Sequence, residues 1–280
     1  VNDDWLPAFE SFYNCNMHNN FNHTESENFW MNKIKALTEA TNIEFDADDR
    51  FTGQLEYDIA ATSQRAFENV FLRYVEPYIE KYSDFPIILT GGCALNILFN
   101  RPMYVAPNSS DSGLSAGMLL SYLKPKEPID LTYAGIPLLD SGTFFERASE
   151  EEVSKVDLPV ISKALSEGSI IGVARGRSEH GPRALGNRSI ICDPSLEGMK
   201  DILNERVKHR EWFRPFAPIV RLEDVAEYFN FFDGESRHMS FSAKVKEEWR
   251  DKLKSITHVD GTARIQTVTR NQNPFMYDLL

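Results

Sequence analysis

Seven arginines fall between residues 175 and 218: Arg175, Arg177, Arg183, Arg188, Arg206, Arg210 and Arg214. They lie in two runs, RGRSEHGPRALGNRSI (175–190) and LNERVKHREWFRPFAP (203–218). From 170 to 221 the chain holds ten Lys and Arg against six Asp and Glu, a net +4 in a protein of net charge −12. A basic island in an acidic chain is suited to an anion. A guanidinium grips phosphate or carboxylate through two parallel hydrogen bonds. Gly176, Gly181, Pro182 and Gly186 break any helical run, so the arginines are expected on loops and strands. An ion-paired surface is the plainer alternative. The interleaved glycines and the apolar run Trp212, Phe213, Pro215 and Phe216 favour a pocket.

Three other stretches carry chemistry. Thr90-Gly-Gly-Cys-Ala-Leu-Asn96 follows a short apolar run. A strand, glycine turn and helix in that order present backbone N–H groups to a phosphate, although many α/β proteins use the same turn without a nucleotide. Asp111, in the loop Ser109-Ser-Asp-Ser-Gly113, is either a metal ligand or the N-cap of the next helix. His258, Asp260 and Arg264 lie close together around Gly261, and Gln266 follows. That set is either a pocket wall or a polar strand face. His18 and His23 are five apart, the wrong spacing for two ligands on one helical face. Asp46, Asp48 and Asp49 resemble a calcium loop only at its start and are expected in a solvated turn.

Length and composition set the bounds. The 280 residues suggest about two domains. The three cysteines, Cys15, Cys93 and Cys192, are odd in number and scattered, so no disulfide framework or zinc knuckle is expected, and a reducing cytoplasmic setting is. No apolar run is long enough for a membrane span. The acidic balance argues against nucleic acid.

Several elements must position these residues. Helices are expected at 25–40 and 57–82, the latter kinked or broken at Pro77, and at 93–99 and 114–122. Residues 124–157, with three prolines and an acidic run, predict a linker. Beyond it the patterns predict helix 159–167 capped by Gly168, strands 170–174 and 189–192, helix 196–206, strand 217–220, helix 222–230, and strands 239–245 and 263–268. The last should carry polar residues on one face.

GRSEHGPRALGNRSI, LNERVKHREWFRPFAP and HVDGTARIQTV together resemble the C-terminal region of the O-carbamoyltransferases, the family of nodulation and antibiotic-tailoring enzymes. TGGCALN and SSDSG are similar to that family's first domain. The likeness runs from about residue 57 to the end. It implies an α/β fold: residues 1–123 as the C-terminal part of an actin/Hsp70-like ATPase-type domain, 124–157 as linker, and 158–280 as a YrdC-like domain. It also implies an ATP-dependent activity. Carbamoyl phosphate and ATP would yield carbamoyl-adenylate, and the carbamoyl group would pass to a hydroxyl-bearing small molecule or sugar.

Matched motif to motif, Arg183, Arg188, Lys208, Arg210, Arg214 and His258 would carry the chemistry. Arg175, Glu179, Ser189, Asp260 and Arg264 would bind substrate or nucleotide around them. Gly91, Gly92 and Asn96 would meet a nucleotide in the first domain, and Asp111 would ligate a divalent metal, iron in kind. The family's N-terminal glycine/aspartate hairpin, its histidine metal motif and its segment beyond position 280 have no counterpart here. The chain is therefore expected to be an internal fragment that lacks the complete reaction and binds metal weakly. The competing expectation is a YrdC-like module that holds a nucleotide or RNA end without catalysis. The acidic charge outside the arginine window opposes it.

Overall fold

The computed structural model describes residues 1–18, 32–36, 53–98, 103–138, 157–231 and 234–280. Of the helix expected at 25–40, residues 32–36 are described and helical. His23 and Asp46 to Asp49 lie outside the described residues. The architecture is mixed α/β, and its contacts divide it into two units, Val1–Pro86 and Ile87–Leu280.

The first unit is a helix pair, α1 (Leu6–His18) and α2 (Gln54–Lys81). Thr62, Ala66 and Val70 recur every four residues and form the buried stripe of α2, while Phe9 of α1 is fully buried. The Thr62 hydroxyl accepts from the Asn2 N–H at 2.8 Å. Arg73 pairs with Glu10 at 2.8 Å. The expected break at Pro77 does not occur, and α2 continues to Lys81. The missing N–H removes a single rung well past the buried stripe, and the last turn tolerates it.

The second unit begins with a short parallel pair, β1 (Ile88–Leu89) against β2 (Tyr104–Val105). The helix expected at 93–99 is only a 3-10 turn, Gly92–Leu95. The polar loop leads into α3 (Leu114–Leu123) as expected. Next come α4 (Leu158–Ser166), with Pro159 in its first turn, and an antiparallel hairpin of β3 (Ile171–Ala174) and β4 (Arg188–Ile191). Residues 175–187, the first arginine run, form the long loop of that hairpin.

The expected helix 196–206 is in fact α5 (Met199–Ile202) running into a π-helical turn, Leu203–Lys208. The helix expected at 222–230 ends early: α6 (Val225–Tyr228) gives way to strand β6 (Phe229–Asn230). Phe229 is buried in the sheet core, and its extended backbone pairs with Val245.

The main sheet has the order β5-β8-β7-β6, from β5 (Ile219–Arg221), β8 (Thr262–Val268), β7 (Phe241–Val245) and β6. β5 and β8 are parallel, and the other pairs are antiparallel. Ala243, Val245, Ala263 and Ile265 are fully buried at its centre, with Val220, Val225 and Ile256 around them. A short helix, α7 (Glu247–Arg250), follows β7, and α8 (Pro274–Leu279) closes the chain. The Asn273 side chain caps α8 by accepting from the Met276 N–H at 3.1 Å.

The contact division at Pro86 precedes the domain boundary expected at 123 because β2 and its loop lie against the arginine loop. A Cβ on Gly181 would collide with the Pro107 carbonyl, and His238 Nδ1 lies 3.4 Å from the Val105 carbonyl. Residues 132–138, expected as linker, also dock on that loop. The His180 N–H donates to Thr132 O at 2.9 Å, Ser178 N–H to Ile136 O at 2.8 Å, and Leu138 N–H to Gly176 O at 2.8 Å. They form an irregular antiparallel partner of the loop.

Candidate anion-binding site

A thirteen-residue hairpin loop has little backbone pairing of its own, so buried side chains must hold it. Glu179 is the main one, with its side chain 1% exposed. Its Oε1 accepts from the N–H groups of Leu185 (2.7 Å), Asn187 (2.9 Å) and Arg188 (3.1 Å). Oε2 lies 3.4 Å from Arg188 Nε. Burial alone would raise the carboxyl's pKa, but the backbone donors outweigh it and hold the group below the usual range. Glu179, expected at the substrate, here folds GPRALGNR into shape.

The loop is pinned from outside as well. Gln266 Nε2 and the Tyr133 hydroxyl both donate to Leu185 O at 2.9 Å. Asn273 donates to the Tyr133 hydroxyl and to Asn187 Oδ1, each at 3.2 Å. Ser189 Oγ accepts from the Gly186 N–H at 2.8 Å, so this side chain also closes the loop. At Gly186, φ is +111°, and a Cβ would stand 2.6 Å from Met276 Cγ; only glycine fits.

So held, the loop meets the second arginine run and β8. Arg183 and Arg210 each lie close enough to Arg264 to repel it. Burial, then Arg183, then Arg210 push Arg264 down to about 10. Burial lowers Arg183. Burial and then Arg214 lower Arg210, with Glu211 opposing. Among the described residues neither Arg183 nor Arg264 has a carboxylate within ion-pairing distance. The acid beside the group, Glu211, pairs with Arg214 at 2.8 Å. Guanidinium groups that approach one another without counter-charge are suited to an anion, which would offset their repulsion.

The other arginines have different tasks. Arg175 stacks on Phe275 at 4.2 Å. Arg177 reaches Ala134 O at 3.4 Å. Arg188 pairs with Glu179. Arg206 and Lys208 lie exposed along the π turn, so this part of the wall is helical.

β8 alternates as expected, with Thr262, Arg264 and Gln266 on one face; Thr262 and Arg264 are half-buried and Gln266 is covered. Gln266 is 3% exposed beneath the arginine loop. His258 sits in the turn before β8, its Nδ1 3.2 Å from Thr262 Oγ1. Thr262 Oγ1 also donates to Asp260 Oδ1 at 2.7 Å. Burial lowers the His258 pKa, Asp260 opposes that, and Arg264 adds to it. His258 is thus neutral near pH 7 and adjoins the cluster.

The glycine turn packs nearby. The Gly91 N–H donates to Ser109 O at 2.6 Å, with Gly91 at φ +88°. Asn96 ends the 3-10 turn, its Oδ1 3.3 Å from the Leu98 N–H. Ala94, Leu95, Pro107, Pro182, Arg183 and His238 line one small cavity, which joins this turn to the arginine loop. Asp111 opens a 3-10 turn whose N-cap is Ser110, and it makes no capping bond; the N-cap alternative fails. Asp111 is exposed, and among the described residues no three His, Cys, Asp or Glu side chains converge. A divalent ion needs several converging donors, so the described residues do not by themselves fit a metal centre.

Thr132, Tyr133, Asn187, Asn204, His238 and Asn273 hold the site without having been singled out as site residues. One signal was available: Asn204 is a poor helix former in the middle of an expected helix.

Comparison with known proteins gives the chain its relatives. Residues 5–119 match the family model described as carbamoyltransferase N-terminus, and residues 162–280 match carbamoyltransferase C-terminus. The chain is similar to the nodulation protein NolNO of Sinorhizobium fredii, 36% identical over 252 residues, covering 81% of this chain and 37% of that protein. A 3'-hydroxymethylcephem-O-carbamoyltransferase of Streptomyces clavuligerus is 36% identical over 213 residues, covering 70% and 39%. Nodulation protein U of Azorhizobium caulinodans is 35% identical over 233 residues, covering 78% and 41%. The chain thus spans less than half the length of these relatives.

Proposed function

This chain belongs to the carbamoyltransferase family, and on that premise we propose that its arginine pocket binds ATP and carbamoyl phosphate in an ATP-dependent O-carbamoyl transfer. The approach of Arg183 and Arg210 to Arg264, with no carboxylate on Arg183 or Arg264 among the described residues, carries this reading. A carbamoyl carbonyl is deactivated by its nitrogen lone pair and needs a good leaving group. In the proposed sequence, water releases phosphate from carbamoyl phosphate and leaves carbamate. A carbamate oxygen then attacks the α-phosphorus of ATP, forming carbamoyl-adenylate and displacing pyrophosphate. Finally an acceptor hydroxyl attacks the carbamoyl carbon and AMP departs.

Each step brings anions together, and fixed cations offset the charge that develops. Arg183, Arg210 and Arg264 take the phosphate oxygens, with Arg214 and Lys208 at the rim. Arg175 opens the loop and Arg188 begins β4 at its other end. Neutral His258 is suited to accept a proton beside the cluster, and Asp260 orders its turn. Gly91, Gly92 and Asn96 are assigned to a nucleotide at the 3-10 turn. The relatives' printed names support a hydroxyl acceptor, since one is an O-carbamoyltransferase acting on a hydroxymethyl group. The proposal includes the finer architecture: an actin/Hsp70-like part followed by a YrdC-like domain. No described helix is long and apolar enough to cross a membrane, and we assign the protein to the cytoplasm on its scattered cysteines.

The test is pyrophosphate release from ATP, measured with and without carbamoyl phosphate in the full-length protein. Release should depend on carbamoyl phosphate and fall about 100-fold or more in Arg183→Ala and Arg210→Ala. Wild-type rates in both variants would refute the assignment.

A further inference from the structure

The π turn Leu203–Lys208 holds a buried amide whose bonds to the second arginine run have a further consequence. Asn204 is fully buried, and a buried amide is stable only when its hydrogen bonds are made. All of those recorded go to one short segment. Asn204 Nδ2 donates to Trp212 O at 3.2 Å and to Arg214 O at 3.0 Å. Its Oδ1 accepts from Arg210 Nε at 2.7 Å. Its backbone carbonyl accepts from the Arg210 N–H at 3.0 Å. The Phe216 ring lies 4.5 Å from the same guanidinium. The Arg210 group is thereby held by Nε on one edge and by a ring on one face. Among the described residues no recorded partner takes its two Nη groups.

We propose that Asn204 is a positioning residue that sets the guanidinium plane of Arg210 and presents both Nη groups to the bound anion. It also fixes the turn that carries Arg214. A regular α-helix would place residue 204 differently, and single π turns of this kind recur at functional sites. The proposal rests on the reading of Arg183, Arg210 and Arg264 as a phosphate pocket.

The test is ATP affinity by titration calorimetry for the wild type, Arg210→Ala, Asn204→Ala, the double variant and Arg210→Lys, with thermal melts recorded for each. Asn204→Ala and Arg210→Ala should each weaken binding about tenfold, and the double variant by no more than about twofold beyond either. Arg210→Lys keeps the charge but has no Nε for Asn204, and should lose as much as Arg210→Ala. Losses that multiply in the double variant would overturn the proposal, as would wild-type affinity in Asn204→Ala. Wild-type affinity in Arg210→Lys would overturn it even if Asn204→Ala does not fold. If Arg210→Ala itself binds ATP normally, the pocket reading fails first and this inference falls with it.

Discussion

Replacing Glu179 tests the link between the arginine loop and its buried anchor. Glu179→Ala removes the acceptor of three backbone N–H groups, at 2.7, 2.9 and 3.1 Å, and leaves no water-accessible substitute at Leu185. Each orphaned buried donor costs about 1–3 kcal/mol. Two of the three are only partly buried, so the sum is about 3 kcal/mol. Glu179→Gln keeps an acceptor oxygen but loses the charge that strengthens each bond, at about 2 kcal/mol in all. Global unfolding averages over the chain and does not isolate the loop. Native-state hydrogen exchange at Leu185, Asn187 and Arg188 reads the loop itself. A tenfold change corresponds to about 1.4 kcal/mol, so exchange should speed up about 100-fold in the Ala variant and about 30-fold in the Gln variant. The wild-type loop should also open on acidification. The folded carboxyl lies below its usual range, so its contribution is full above the unfolded value and lost as pH falls through the folded one. Glu179→Gln should lack that component. If exchange in Glu179→Ala changes less than about threefold, the loop is held by something else.

Two further outcomes are expected. Arg264→Met removes a guanidinium held at about 10 by burial and by its two arginine neighbours; thermal melts without ligand should show stabilisation of about 1–3 kcal/mol, while pyrophosphate affinity by calorimetry falls at least about tenfold. A less stable variant with intact affinity would contradict the repulsion. His258 and His238 are both lowered by burial, so the unfolded chain binds protons first as pH falls below its ordinary histidine value. Stability should drop across that window in pH-dependent melts, and His238→Gln should flatten the slope.

The order of strands and helices after residue 157 was legible because apolar periodicity and glycine stops are local signals. Ile171–Ala174, Phe241–Val245 and Thr262–Val268 all form where their patterns place them. Boundaries moved where long-range contacts outweigh local preference. Phe229 is drawn into the sheet directly after helical Tyr228, and Leu203–Lys208 widens into a π turn that buries Asn204. Nor could spacing reveal that 132–138 pairs with 176–180, since a segment with no regular pattern gains its partners only after collapse.

The arginines show the same division. Charge and spacing in the sequence determined that this acidic chain carries a basic, glycine-broken stretch suited to an anion, and its motifs pointed to carbamoyl transfer. Which arginines meet was decided only by the tertiary structure. Arg188 and Arg175 were taken up by Glu179 and Phe275, while Arg264, far along the chain, joined Arg183 and Arg210. The physical reason is that a guanidinium's role depends on the carboxylates, rings and carbonyls within a few ångströms of it. Those neighbours are set by the closing of the β3–β4 loop over β8, a contact between residues about eighty positions apart, as in the 2.9 Å bond from Gln266 to Leu185.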